Sequence, residues 1–343
     1  MTAQPIAESA MVQEQRRDAE LAADRVARRE ALIDRSGILA PFVLIAALAT
    51  VLVPGFWSGS NVQSILVNAA IVATVGFGMT LVIVIRGLDL SVGAVAALTS
   101  CVAAAAINQF GIVVGVLLTL ALGLGVGLVN GVLVTYLRVP AFVATLATMG
   151  IVRGAALLFT NGERVTLQST TFRQLAIVKL LGVPLPFVVA CLLCVAFYLL
   201  LENTPFGRHV AAVGGNPGAA REAGLNATAI GLIVYAISGL AAACAGLLLV
   251  AQLGTVDATP IQGLELQAIA IAVLGGTSIA GGVGNLPGTF LASLLLAMIG
   301  SALNLRNIPG YYQYLALGLL LMLALSLDTL RRRIRIAISS GNA

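Results

Sequence analysis

Apolar residues run through this chain in long unbroken stretches, and polar residues collect in the short intervals between them. From Ile38 to Leu330 the stretches are rich in Ala, Leu, Val and Gly and show no strict polar/apolar alternation. An outer-membrane strand needs only about ten alternating residues, whereas a bilayer-crossing helix needs roughly 20 mainly apolar ones. The pattern therefore predicts helices, ten in number, at about 38–56, 64–85, 89–107, 111–137, 141–160, 185–201, 229–253, 267–281, 286–304 and 312–328. The eighth is short and bounded by Gly275-Gly276 and Gly281-Gly282, which marks it as a candidate for a broken or re-entrant segment. The fold class that follows is all-α and polytopic, with about ten transmembrane helices.

Charge sharpens this picture. Only 10% of the 343 residues are charged, against about a quarter in an ordinary soluble domain. Thirteen of the charges lie in residues 1–37 and four in 331–335, leaving sixteen for the 293 residues between. A body so poor in charge cannot make a water-facing surface, which excludes a soluble globular protein and a disordered chain. The chain divides into a charged N-terminal tail (1–36), a transmembrane domain (37–330) and a basic C-terminal tail (331–343). Residues 1–35 contain no apolar run of signal-peptide length. Ten spans put both tails on one side. Fourteen of the nineteen Lys and Arg fall on that side and four on the other, with Arg153 inside a span. Positive charge marks the cytoplasmic face, so both tails are expected there. The net charge of +5 is then a topology signal, and no nucleic acid is expected as a partner.

Several chemistries are missing. Lys179 is the only lysine and follows Val178, so no phosphate-binding G-x-x-x-x-G-K-[ST] loop exists. His209 is the only histidine, which leaves little for metal sites or Ser-His-Asp constellations. Carboxylates are rare in the spans: Asp89, Glu265 and Asp328 sit near span ends. Ion-coupled carriers keep acids in the membrane for relay work, so a carrier acting alone is disfavoured. Cys101, Cys191, Cys194 and Cys244 all fall within spans and read as small packing residues. No catalytic residue, cofactor or metal is expected, and any driving force must come from another protein.

Four features carry more information. In the polar loop 202–228, Asn216 is a good N-cap, Pro217 suits the first helical position, and Gly224 suits the end of Ala219-Ala220-Arg221-Glu222-Ala223. A two-turn helix is too short to stand alone; it either lies on its own protein or docks into a partner's groove. Next, Arg86-Gly87-Leu88-Asp89-Leu90-Ser91-Val92-Gly93 offers Asp89 or Ser91 as a cap for the third span. Gly263-Leu264-Glu265-Leu266 echoes it 176 residues later. Five helices lie between the copies, so the echo is either chance or the trace of an inverted repeat of five helices. Gly123, Gly127 and Gly131 form a ridge for close helix packing. Finally, Arg153 lies mid-span, where a charge costs at least about 2.5 kcal/mol. It either bonds neighbouring carbonyls or lines a path. Thr80, Ser91, Thr99, Thr145, Thr148, Ser238 and Asn304 are the hydroxyl and amide groups available to a polar solute, and Asp89 joins them as a candidate for the path.

Four blocks resemble one family in order. GLDLSVGAVAAL, VPAFVATLATMGIVRGAALLFTNG, TPFGRHVAAVGGNPGAAREAGLN and AIAIAVLGGTSIAGGVGNLPGTF are similar to the permease subunits of bacterial ABC importers of the ribose, xylose and arabinose type. The resemblance covers about residues 36–330 and extends to a wider superfamily for branched-chain amino acids and nucleosides. It implies a permease in the bacterial inner membrane that pairs with a second copy or a sister permease. It further implies a cytoplasmic ATPase and a periplasmic substrate-binding protein as partners, and a sugar as cargo; a nucleoside, a signalling furanone or a branched-chain amino acid is the alternative. By the same resemblance, the segment that touches the ATPase is Gly214-Gly215-Asn216-Pro217 with Ala219, Ala220, Arg221, Glu222, Ala223 and Gly224.

Overall fold

The computed structural model describes residues 38–258, 263–319 and 322. The two charged tails, Asp328 and most of the second half of the tenth predicted span lie outside the described residues. In chain order the helices are α1 (Leu39–Leu52), α2 (Gly59–Val84), α3 (Val92–Phe110), α4 (Ile112–Gly131), α5 (Ala141–Thr160), α6 (Thr170–Gln174), α7 (Leu185–Tyr198), α8 (Pro205–Gly215), α9 (Pro217–Glu222), α10 (Ala227–Leu253), α11 (Leu264–Leu274) and α12 (Leu286–Leu305). A further helix runs through 311–319. π turns Val132–Tyr136 and Leu199–Asn203 extend α4 and α7. Four two-residue strands are β1 (Val165–Thr166), β2 (Lys179–Leu180), β3 (Val183–Pro184) and β4 (Thr255–Val256). They pair antiparallel as β1–β4 and β2–β3.

Among the described residues, seven helices are long and apolar enough to cross a bilayer: α2, α3, α4, α5, α7, α10 and α12. With 14 and 11 residues, α1 and α11 reach only about 21 and 16 Å at 1.5 Å per residue. A hydrocarbon core about 30 Å thick needs more. The predicted eighth span, 267–281, is therefore corrected to the 11-residue α11 and a glycine-bearing turn. Gly276, at φ +99°, makes the turn, and the chain passes α12 so closely that a Cβ on Gly275 would meet the backbone of Gly288 and Thr289.

Burial sorts the helices into layers. Apolar on every side, α2 is buried from Ala69 to Val84, as a helix without a polar face must be. It packs against α10, α11 and α12. Outside them, α1, α4, α5 and α7 expose large side chains such as Val43, Leu117, Ile151 and Leu192, which suits contact with lipid. Lipid tails are as apolar as leucine, so such helices associate by close packing and hydrogen bonds. The ridge Gly123, Gly127 and Gly131 on α4 packs against α10. Cβ atoms there would come within 2.5 Å of Gly239 O, 2.9 Å of Ala236 Cα and 3.0 Å of Leu232 Cα respectively.

The two echoing segments lie together. The loop 85–91 turns back from the end of α2 near Arg86, and α3 starts inside the bundle. β4, which precedes α11 in the chain, lies at the opposite end, where α10 finishes. The first turns of α3 and α11 meet where Gly93 leaves no room for a Cβ beside the Glu265 carboxylate. Opposed helix N-termini thus share the interior of the bundle.

Candidate functional site

At the end of the bundle that carries Arg86 and Arg221, the loop 202–228 folds into α8 and α9. Thr204 Oγ1 accepts from the Gly207 N–H at 3.2 Å, and Pro205 opens α8. Asn216 then ends α8 and begins α9. Its Oδ1 accepts from the N–H groups of Gly218 and Ala219, both at 3.1 Å, with Pro217 at the first helical position. Gly224, at φ +80°, takes the left-handed turn that stops the helix. Ala220 is buried in the apolar cluster of Phe77, Leu201, Val210 and Val213. In contrast, Asn216, Gly218, Ala219, Arg221, Glu222, Ala223 and Gly224 are exposed. Ala220 anchors α9, Pro217 is half-buried, and the rest of the helix faces outward.

Behind α9 is a three-way junction. Gly214 lies so close to Val84 O and the Gly282 N–H that only glycine fits. Gly282 N–H donates to Val84 O at 2.8 Å. Arg86 donates through Nε to Gly214 O and through a terminal nitrogen to Gly215 O, both at 2.5 Å. The last carbonyls of a helix lack partners within it and attract a cation; here the guanidinium fork takes two of them. The end of α2, the end of α8 and the turn that follows α11 are tied at one point. Sequence reasoning singled out Gly214 and Gly215 and gave Arg86 no role beyond topology, because the pairing spans 128 residues.

The Asp89 carboxylate is wholly enclosed. Oδ1 accepts from the Ser91 N–H at 3.1 Å, the Ser91 hydroxyl at 2.6 Å and Asn130 Nδ2 at 3.4 Å, and Oδ2 accepts from the Ser238 hydroxyl at 2.8 Å. Ser91 stands at the N-cap position of α3, yet its hydroxyl serves Asp89 and caps nothing. A cap by Ser91 is thus corrected: it is the Asp89 carboxylate that receives an N–H at this helix start. The network joins α3, α4 and α10. Asn130 was not among the sequence candidates; its signal was a lone amide in an apolar span. Tyr235, whose buried hydroxyl has no partner among the described residues, abuts Gly87.

Most of the other polar candidates are turned inward. Thr80, Thr99, Thr145 and Thr148 donate to carbonyls of their own helices and are buried, Thr145 also reaching Leu88 O at 3.2 Å. Arg153, on α5, is half-buried and makes no hydrogen bond among the described residues. Asn304 is different. It is exposed, accepts from Gln313 Nε2 at 2.7 Å and lines a cavity of about 430 Å³ between α2, α11, α12 and 311–319.

A glycine-tight helical bundle with two re-entrant helix starts and an exposed capped helix is a polytopic membrane protein. It has the parts of a transporter's membrane half. The family described as branched-chain amino acid transport system / permease component matches residues 61–325, and the chain belongs to it. It is 40% identical to the ribose import permease protein RbsC of Escherichia coli K12 over 87% of this chain and 94% of that one. Identity is 36% with the L-arabinose ABC transporter permease protein AraH of Azospirillum brasilense, over 90% and 91%. With the autoinducer 2 import system permease protein LsrC of Yersinia enterocolitica it is 35%, over 85% and 80%. No solved structure matches the chain. The protein is a permease component and not itself an enzyme.

Proposed function

We propose that the chain is the membrane-spanning subunit of an ATP-driven importer of a pentose-like monosaccharide, with its arginine-rich end in the cytoplasm of the inner membrane. A periplasmic binding protein delivers the sugar to the far end, a cytoplasmic ATPase grips α9, and a second permease copy completes the path. The observation that carries this reading is α9 itself: a two-turn helix anchored by Ala220, otherwise mostly exposed, and seated on the junction of α2, α8 and the turn after α11. Closure of the ATPase pushes α9; the Arg86 fork and the Gly214 contact pass the push to α2 and to the turn behind α11. The half-helix α11 then shifts against α3. Arg153, half-buried with no bond among the described residues, finds its partner in the second copy or on the path between the copies.

The test is a pair of substitutions, Arg221→Ala with Glu222→Ala, in the assembled importer. Membrane insertion stays normal, while co-purification of the ATPase and sugar uptake both fall by about tenfold or more, as for loss of desolvated charge pairs at an interface. Normal uptake with normal ATPase recovery sinks the assignment of this loop. The ribose and arabinose permeases favour a sugar. The autoinducer 2 permease supports a second reading, a furanone-type cargo on the same architecture.

A further inference from the structure

The far end of the bundle holds a cavity that the coupling machinery does not use. Its polar lining comes from Asn68 on α2, Gln267 on α11, Ser301 and Asn304 on α12, and Gln313 and Tyr314 on 311–319; the rest is aliphatic or glycine. Asn68 is exposed although Val67, Ala69 and Ala70 beside it are buried, so the space it meets is this cavity. Its oxygen accepts from Gln252 at 3.1 Å, and that of Asn304 from Gln313 at 2.7 Å. Both amides are thereby held in place, and their NH₂ groups are what they have to offer a ligand. Ser301 is held in turn by Asn61 at 2.7 Å. Among the described residues, no Asp, Glu, Lys, Arg or His lines the space.

We infer that this cavity is a binding subsite for a neutral polyhydroxylated solute of monosaccharide size; the inference rests on the importer reading and gives its cargo a place in the bundle. At about 430 Å³ it falls within the usual range of small-molecule sites, about 300–1,000 Å³. Carboxamides and hydroxyls both donate and accept, as sugar hydroxyls do. The aliphatic walls and the Tyr314 ring suit the C–H faces of a pyranose or furanose. A zwitterionic amino acid would bring two charges to a lining with no counter-charge, at a desolvation cost that nothing here offsets. Gln267 sits in the first turn of α11, so an occupied cavity reports directly on the half-helix that the junction moves.

The experiment uses the purified full-length permease in nanodiscs, without ATPase or binding protein, so its outcome is independent of the α9 test. Ser301→Cys is placed in a chain whose four native cysteines are replaced by alanine, and its labelling by a charged, bulky maleimide is timed. D-ribose, L-arabinose and D-xylose are the protecting probes, and L-leucine is the ionic control. Labelling is expected in the free protein, slowed by at least one pentose and not by leucine. Adding Gln267→Leu should weaken that protection by about tenfold, the worth of one well-placed hydrogen bond. Absence of labelling, no slowing by any pentose, or equal slowing by leucine overturns the proposal. Should the cysteine-free chain fail to fold, Gln267→Leu in the native chain is assayed in the whole importer. Uptake is expected to fall about tenfold with the ATPase still bound, and unchanged uptake overturns the proposal.

Discussion

Asp89 places an acid where a membrane protein tolerates few, and it is held there by four donors from three helices. In Asp89→Ala the Ser91 N–H and the hydroxyls of Ser91 and Ser238 lose this buried acceptor, each at a cost of about 1–3 kcal/mol, while Asn130 keeps its bond to the Ser91 hydroxyl. We expect a loss of about 3 kcal/mol or more, read by unfolding in mixed micelles followed by circular dichroism. Asp89→Asn keeps one acceptor oxygen and should lose less than half as much. An alanine variant as stable as the parent would show that the network does not hold α3 in place. A solvated carboxylate lining a path would give that outcome, because its hydroxyl partners could turn to water.

Elements are held together here by the absence of side chains as much as by their presence. On α4, Gly127 sits under Ala236, with no room for a methyl group, while Gly125 on the same helix has nothing within 4 Å of where its Cβ would be. Gly127→Ala should therefore cost about 1–3 kcal/mol through forced separation of α4 from α10. Gly125→Ala should be neutral or stabilising by up to about 1 kcal/mol, since alanine is the better helix former. The same unfolding measurement compares them, and equal effects would refute the ridge as a packing device. Two helix starts at this scale differ in how far they could be anticipated. Asn216-Pro217 and Gly224 bracket α9 by strictly local chemistry, and the structure has the helix between them. The start of α3 was placed to within a few residues, while its cap was left open between Asp89 and Ser91. Which of Asp89 and Ser91 receives the N–H depends on Ser238 and Asn130, which come from distant parts of the chain.

For the whole molecule, the decisive feature is that the ends of α2 and α8 and the exit from α11 are tied by Arg86 and Gly214. In the assembled importer, Arg86→Ala should leave the exposed face of α9 available to the ATPase but loosen what lies behind it. Uptake is expected to fall about tenfold while ATP hydrolysis changes little, in keeping with coupling energies of about 1–3 kcal/mol between sites. Arg86→Lys, with one ammonium in place of a planar fork, should recover only part of the loss. Uptake and hydrolysis falling in parallel would mean that Arg86 merely shapes the docking surface.

Membrane residence, helical class and the capped loop were determined by the sequence alone, because hydropathy, charge placement and capping act over a turn or a span of neighbouring residues. The broken eighth segment was legible in the same way, from its glycines and its length. Only the tertiary structure decided which hydroxyls are consumed by their own helices, that Arg86 closes on a glycine pair 128 positions away, and that amides from four separate segments surround one space. Those outcomes depend on how apolar helices settle against each other in a medium that favours none of their faces. Close fit and hydrogen bonding then choose the neighbours, and neither is written in the local order of residues.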